Sequence, residues 1–186
     1  MPFRLLKFGL EKEYSEPRMF RSPAELRDSY DVVIISGGAH GLAAAHYLAA
    51  EHGIHDVAVL EQRYIGHGGT GRNTAIIRSN YLTEEGARFY QFSVDLYRDL
   101  ARSLDFNLFY SERGHFTLAH TPASLRTQRW RAEVNKHLGI DSEVVGPEFI
   151  KKKIPEIDLN CGGHQPPIVG ALFHPPGAIA RHDAVA

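Results

Sequence analysis

The stretch Asp31-Val-Val-Ile-Ile-Ser-Gly-Gly-Ala-His-Gly41, followed by Val57-Ala-Val-Leu-Glu61, decides how this chain is read. Val32 to Ile35 is a continuous β-branched run, which predicts a strand buried on both faces of a parallel sheet. After the glycine turn, Leu42-Ala-Ala-Ala-His-Tyr-Leu-Ala-Ala50 is rich in strong helix formers with small side chains. Gly53 ends that helix, and Ile54 to Leu60 returns as a second strand. Strand, glycines, helix, strand and the terminal carboxylate of Glu61 match the layout of a dinucleotide-binding βαβ unit. Glu61 stands twenty residues past Gly41, where such units place the acid that binds a ribose hydroxyl.

The fingerprint G-x-G-x-x-G is incomplete. Its last two glycines fall on Gly38 and Gly41, and its first position holds Ser36. Gly38 lets the backbone approach a phosphate with no Cβ in the way, and Gly41 lets helix and strand touch. The first turn of the helix adds free N–H groups and the positive end of its dipole. The missing first glycine makes the tight turn out of the strand, where a strained non-glycine costs about 1–3 kcal/mol. Ser36 is therefore either a tolerated variant or the mark of a weakened cofactor site.

A second segment is as distinctive: Ile65-Gly-His-Gly-Gly-Thr-Gly-Arg-Asn-Thr-Ala-Ile-Ile-Arg-Ser-Asn-Tyr81. A flexible linker favours serine and glutamate and does not run straight into Ile76-Ile77. This loop can bring backbone amides, Thr70, Arg72, Asn73 and Thr74 against a planar ring and a diphosphate, with Arg78 adding a fixed positive charge. The plainer reading is an irregular glycine-rich turn with a structural arginine.

Composition sets the bounds. The chain has 186 residues, 43% hydrophobic and 23% charged, as expected of a globular protein of one domain, or one domain plus part of another. A formal net charge of −1 favours neither a nucleic-acid partner nor an anionic membrane. Cys161 is the single cysteine, so no internal disulfide forms, and a reducing, cytoplasmic setting is expected. The eleven histidines show no ligand-like cluster and no metal site is expected; His52, His55, His115 and His120 read as solvated or pocket-lining. No apolar run approaches the roughly 20 residues of a membrane span. The start, Met1 to Leu10, is too short and charged for a signal peptide. Residues 1–28 read as an N-terminal arm whose Phe3, Leu5, Leu6 and Phe8 cover a neighbouring surface or fray.

Further along, Thr83-Glu-Glu starts a helix, with Tyr90, Val94, Tyr97, Ala101 and Leu104 as one apolar stripe for packing. Leu108 to Ser111 and His115 to Leu118, joined through Glu-Arg-Gly, read as a hairpin. Pro122 to Leu138 reads as a helix with exposed Arg126, Arg129 and Arg131, Asp141 to Val145 as a short strand, and Pro147 to Lys153 as a short helix. Gly177-Ala-Ile-Ala predicts a strand or turn that delivers His182 to a helix start, with Asp183 as a possible cap. A neutral imidazole is a competent nucleophile toward an electrophilic flavin methyl carbon. A histidine beside a capping acid is also an ordinary structural residue.

With these residues in view the chain resembles the beta subunits of heterotetrameric sarcosine oxidases, FAD-dependent amine oxidases related to D-amino-acid oxidase. The likeness rests on Ser36-Gly-Gly-Ala-His-Gly41, Gly69-Thr-Gly-Arg-Asn-Thr74, Ile76-Ile-Arg-Ser-Asn-Tyr-Leu82, Ser111-Glu-Arg-Gly114, Leu118-Ala-His120 and Gly177-Ala-Ile-Ala-Arg-His-Asp183, and runs from Tyr30 to the end. The resemblance implies oxidation of the N-methyl group of sarcosine, with hydride transfer to a noncovalent FAD. Electrons then pass to an FMN at the contact with the alpha subunit and on to oxygen, giving hydrogen peroxide. The products are glycine and a one-carbon unit, taken by tetrahydrofolate or released as formaldehyde. It further implies gamma and delta subunits as partners. Carried over by position, Ala39, His40, Glu61, Gly69, Arg72, Asn73, Thr74 and Ile76 contact FAD. His182 matches the histidine bonded covalently to FMN, Arg181 lies beside it, and Ala184 replaces the second histidine of many relatives.

The expected fold class is α/β: a Rossmann-like FAD-binding βαβ region over 29–106, then the beginning of an α+β substrate and FMN-contact region over 107–186. The chain stops at Ala186 within the first turn of a helix, and the subunits it resembles are considerably longer. It therefore reads as an N-terminal portion without the groups that contact substrate, inactive by itself, and no catalytic residue is assigned. The alternatives are another FAD-dependent amine or amino-acid dehydrogenase, which would lack the FMN link, and a catalytically silent remnant.

Overall fold

Val32–Ile35 forms β1 and Val57–Leu60 forms β2, parallel and in register from Val32 opposite Val57 to Ile35 opposite Leu60. Between them runs α1, Ala39–His52. Gly53 closes it in the left-handed conformation at φ 66°, its N–H donating to the Leu48 carbonyl, as a glycine C-cap does. The computed structural model describes Leu10 and residues 26–185, with only the backbone at Asp183. The expected arm over 1–28 thus lies almost wholly outside the described residues, as does the proposed Asp183 cap.

Burial of β1 differs from the expectation. Val32 and Ile34 are half-buried on the side that meets α1, whereas Val33 is 51% and Ile35 83% exposed. A β-branched run supplies two apolar faces, and among the described residues α1 covers one of them.

The Gly-rich segment contains a single 3-10 turn, Thr70–Arg72, and leads into β3, Ile76–Ile77. Helix α2, Glu84–Ser103, starts where Thr83 Oγ1 accepts from Gly86 N–H at 3.2 Å, with Glu84 and Glu85 at the positive end of the helix dipole. Within its predicted stripe Val94 is buried and Tyr97 and Ala101 half-buried, but Tyr90 and Leu104 are exposed.

The predicted hairpin does not form. Strand β4, Ser111–Glu112, pairs with β8, Ala178–Ile179, and β5, His115–Ala119, pairs with β7, Gly170–His174. The turn between them hands the chain from one sheet to the other. Gly114 sits at φ 83°, and the N–H groups of Arg113 and Gly114 both donate to the Gly177 carbonyl, at 3.2 and 2.8 Å. Both strands thus find partners far downstream, and the chain assembles a three-stranded sheet β3–β8–β4 and a second, β5–β7–β6, with β6 at Glu143–Val145.

Helix α3, Pro122–His137, is capped by Thr121 and α4 spans Pro147–Lys153. Arg126 and Arg129 are exposed as predicted, but Arg131 is half-buried with its Nε shielded from solvent. The core lies on the β5–β7–β6 sheet, where Val145, Ile150, Ile168, Ala171 and Phe173 pack with Phe116, Leu118 and Phe149. Ring centroids of Phe116 and Phe149 stand 4.6 and 5.2 Å from that of Phe173. Cys161 packs against the same cluster as a small apolar side chain. Strand β8 then carries the chain back across the β3 edge into α5, His182–Val185. None of the described helices is long and apolar enough to cross a membrane.

Candidate functional site

The site is built at the carboxyl ends of β1 and β2, the place where open α/β sheets bind ligands. Gly41 brings α1 onto β1 so closely that a Cβ built on it would stand 2.0 Å from the Ser36 carbonyl oxygen and 3.3 Å from Ile34 Cγ2. Gly38 and Ala39 are thereby held at the cleft, with Gly37 buried just behind them. Glu61 faces this crossover: its Oε2 accepts from Gly37 N–H at 2.9 Å and its Oε1 from Arg63 N–H at 3.0 Å. These two backbone donors, Gly37 first, hold the Glu61 carboxyl below the usual glutamate range, so it is ionised at neutral pH.

The Gly-rich loop folds back over the turn. Gly66 N–H donates to the Gly37 carbonyl at 2.9 Å, and Thr70 Oγ1 accepts from Ala39 N–H at 2.9 Å. Gly71 must be glycine, because a Cβ there would stand 2.6 Å from the Gly66 carbonyl oxygen. Asn73 ties the loop internally: its Nδ2 donates to the Thr70 carbonyl and its Oδ1 accepts from Ala75 N–H, each at 2.5 Å.

A cleft of about 1010 Å³ opens between the turn, this loop, α2 and α5. Of the residues singled out from sequence, Gly38, Ala39, His40, Gly41, Glu61, Gly69, Thr70, Asn73, Thr74, Ile76 and His182 all line it. Arg72 and Arg181 do not. Arg72 is exposed and its Nε donates to the Gly68 carbonyl at 3.3 Å, while the Arg181 guanidinium stands 5.3 Å from the Phe109 ring centroid. His182 is half-buried on the cleft wall, on a helix that packs against Thr70–Arg72.

The Arg-Ser-Asn-Tyr segment connects cleft and interior. Arg78 lines the cleft, donates from Nη1 to Asn80 Oδ1 at 2.7 Å and lies 4.6 Å from the Tyr81 ring centroid. Tyr81 in turn stacks on Tyr90, centroids 3.9 Å apart and 16° from parallel. Ser79 and Asn80 are fully buried. Ser79 N–H donates to His174 Nε2 at 3.3 Å, and His174 Nδ1–H donates to the Asp141 carbonyl at 2.6 Å, which fixes the neutral tautomer. Burial holds His174 below the usual imidazole value.

The far wall of the cleft escaped the sequence reading. Tyr90 and Tyr97 of the predicted core stripe line it, together with Phe89, Ser93 and Leu96 one position before each stripe residue. Phe89 and Leu96 widen the apolar side of α2 beyond the stripe, which lets one helix serve both core and cleft. Ser36 sits at the strained φ of 122°, and its hydroxyl also accepts from Gly38 N–H at 3.3 Å.

Residues 31–186 match the family model described as FAD dependent oxidoreductase. The chain belongs to the FAD-dependent oxidoreductase family. Among family relatives, the sarcosine oxidase subunit beta of an Arthrobacter species is 44% identical over 170 residues, covering 91% of this chain and 42% of that protein. The corresponding subunit of Rhodobacter capsulatus is 39% identical over 178 residues, covering 96% and 41%. This chain therefore spans about two fifths of the length of the curated relatives it matches. Among solved structures, the L-proline dehydrogenase of P. horikoshii superposes with a TM-score of 0.74 at 25% identity, over 86% of this chain and 40% of that one. Glycine oxidase from Bacillus cereus shares the fold, with a TM-score of 0.72 at 22% identity over 84% and 41%.

The residues present fit the family's FAD. A glycine turn without Cβ atoms, amides at a helix start and an ionised acid beside them are the donor set a dinucleotide requires. A Cβ on Gly38 would intrude to 3.1 Å from Thr70 Oγ1.

Proposed function

We propose that this chain serves as a sarcosine oxidase beta-subunit chain, with residues 29–106 holding FAD and residues 107–186 beginning the region that meets substrate and FMN. One observation carries the reading: Gly37 N–H donates to the Glu61 carboxylate while Gly38 and Ala39 open α1 on the same cleft, in a chain 44% identical to a named beta subunit. Bound FAD supplies the acceptor for hydride from a CH–NH donor.

The chain's own residues bind and orient. Amides at Gly38, Ala39, His40 and Gly41 take the diphosphate, and Glu61 grips the ribose as an acceptor. Gly69, Thr70, Arg72, Asn73, Thr74 and Ile76 hold the loop over the cofactor, where its close backbone turns exclude water. In this reading FAD is noncovalent, His182 is the covalent attachment point for FMN, and Arg181 offsets phosphate charge beside it. The half-buried imidazole of His182 on the cleft wall is compatible with that role. Partners are then the alpha, gamma and delta subunits, with sarcosine, oxygen and tetrahydrofolate as small molecules and the cytoplasm as the compartment.

Co-expression with the other subunits tests this. Peroxide formed from sarcosine, together with an FMN-modified peptide spanning His182, is the expected result. Amine oxidation without that modified peptide would instead indicate another FAD-dependent amine or amino-acid dehydrogenase. Ser36 favours a second reading, a silent remnant limited to subunit contact, since it stands where the fingerprint has its first glycine. No peroxide and no bound flavin in the assembled complex would support that reading.

A further inference from the structure

We propose that the Ser36 hydroxyl competes with the dinucleotide for the Gly38 amide, so that this chain sets its own threshold for cofactor binding. This rests on the FAD reading of the cleft. Each of the three amides at the turn has a side-chain acceptor within the chain. Gly37 N–H donates to Glu61 Oε2 at 2.9 Å, Gly38 N–H to Ser36 Oγ at 3.3 Å, and Ala39 N–H to Thr70 Oγ1 at 2.9 Å.

The space before Gly38 is occupied by the same hydroxyls. A Cβ built there would stand 3.1 Å from Thr70 Oγ1 and 3.6 Å from Ser36 Oγ. A phosphate oxygen that takes Gly38 N–H must displace the serine oxygen. With glycine at position 36 there is no such oxygen, and the amide is left to water, which exchanges freely.

Thr70 and Ser36 differ in what happens next. Thr70 belongs to a loop pinned to the turn through Gly66 N–H and the Gly37 carbonyl at 2.9 Å, and its hydroxyl can rotate to donate to an incoming phosphate. Ser36 sits on a backbone at φ 122°, and its N–H is held by the Leu60 carbonyl at 2.9 Å. It is the last residue of the strand exit, two positions before the amide it occupies, so the local turn returns its oxygen to Gly38. Competition and backbone strain are then separable effects of one residue. Strain at φ 122° is present with and without ligand and largely cancels in a binding constant. Competition exists only in the empty state and does not cancel.

Two variants separate them. Ser36→Ala keeps the Cβ and the strain but removes the acceptor, and Ser36→Gly removes both. Titrating the full chain with FAD, ADP and adenosine by calorimetry, Ser36→Ala should tighten FAD and ADP about threefold to tenfold, the worth of one net hydrogen bond. Ser36→Gly should match it, and adenosine, which has no diphosphate, should bind all three proteins alike. Amide hydrogen exchange gives an independent readout: Gly38 N–H should be protected in the ligand-free wild-type chain and faster in both variants.

If the wild-type chain binds FAD but Ser36→Ala leaves the ADP and FAD constants unchanged, the competition is refuted and the dinucleotide site stands. Tightening by Ser36→Gly alone would assign the effect to strain and likewise refute it. If no protein in the set binds FAD or ADP, the site reading itself falls, and the competition with it.

Discussion

Replacing Gly41 by alanine should break the close contact on which the cleft is built. An added Cβ would lie 2.0 Å from the Ser36 carbonyl oxygen and 3.1 Å from its carbonyl carbon. Ordinary contact begins near 3.5 Å, so the helix must retreat by roughly an ångström or more. The obstacle is backbone, not a flexible side chain, which places the overpacking cost toward the upper end of about 1–3 kcal/mol. Alanine returns about 0.5–1 kcal/mol of helix propensity, leaving a net loss of about 1–2 kcal/mol. Gly38→Ala meets only the Thr70 hydroxyl at 3.1 Å, which can rotate away, and Gly69→Ala meets nothing within 4 Å. Urea titrations followed by far-ultraviolet circular dichroism should therefore rank Gly41→Ala as least stable, Gly38→Ala within about 1 kcal/mol of wild type and Gly69→Ala within about 0.5 kcal/mol. FAD affinity should fall for both Gly41→Ala and Gly38→Ala. A Gly41→Ala chain as stable as wild type, or a Gly38→Ala chain less stable than it, would refute the packing argument.

Three further outcomes are expected. Below about pH 6.5 the unfolded chain protonates its histidines, while His174 and His115, both held below the usual imidazole value by burial, resist, so stability should fall by up to about 1.4 kcal/mol per pH unit for each and be intact above that pH. Urea midpoints that stay flat from about pH 7.5 to pH 5.5, or an unchanged slope in His174→Gln, would contradict this. Gly114→Ala places a Cβ 2.2 Å from Phe173 Cε2 at a residue with φ 83°, and thermal unfolding should show a loss above about 2 kcal/mol. Glu61→Ala should weaken FAD and adenosine roughly tenfold or more, as loss of a charged acceptor does, and leave FMN unaffected; equal losses for FAD and FMN in calorimetry would count against the ribose role.

What the sequence disclosed and what it withheld have a common physical basis. The βαβ unit was readable because each part is local: a β-branched run, glycines at fixed offsets, a C-cap glycine and an acid twenty residues on. Helices α2, α3 and α4 declared themselves through Thr83, Pro122 and Pro147 at their starts. The hairpin reading failed because strand pairing is not local. His115 lies opposite His174 and Ser111 opposite Ile179, partners about sixty residues downstream. Most of the candidate site residues gather on one cleft, since they sit on the turn and the loop that the glycines shape. Arg72 and Arg181 lie outside it, because side-chain direction in an irregular loop has no period to read. The cleft side of α2 was not legible for the opposite reason: one apolar stripe suffices to explain a helix, and its period does not tell that Tyr90 and Tyr97 also face a cleft beside Phe89 and Leu96.

The account stands most directly on where a diphosphate lands. Adding ADP to the ¹⁵N-labelled chain and following amide resonances tests this. The largest shifts are predicted at Gly38, Ala39, His40 and Gly41, with the Gly66–Thr70 loop moving alongside. Saturable ADP binding that leaves those amides unmoved would contradict it.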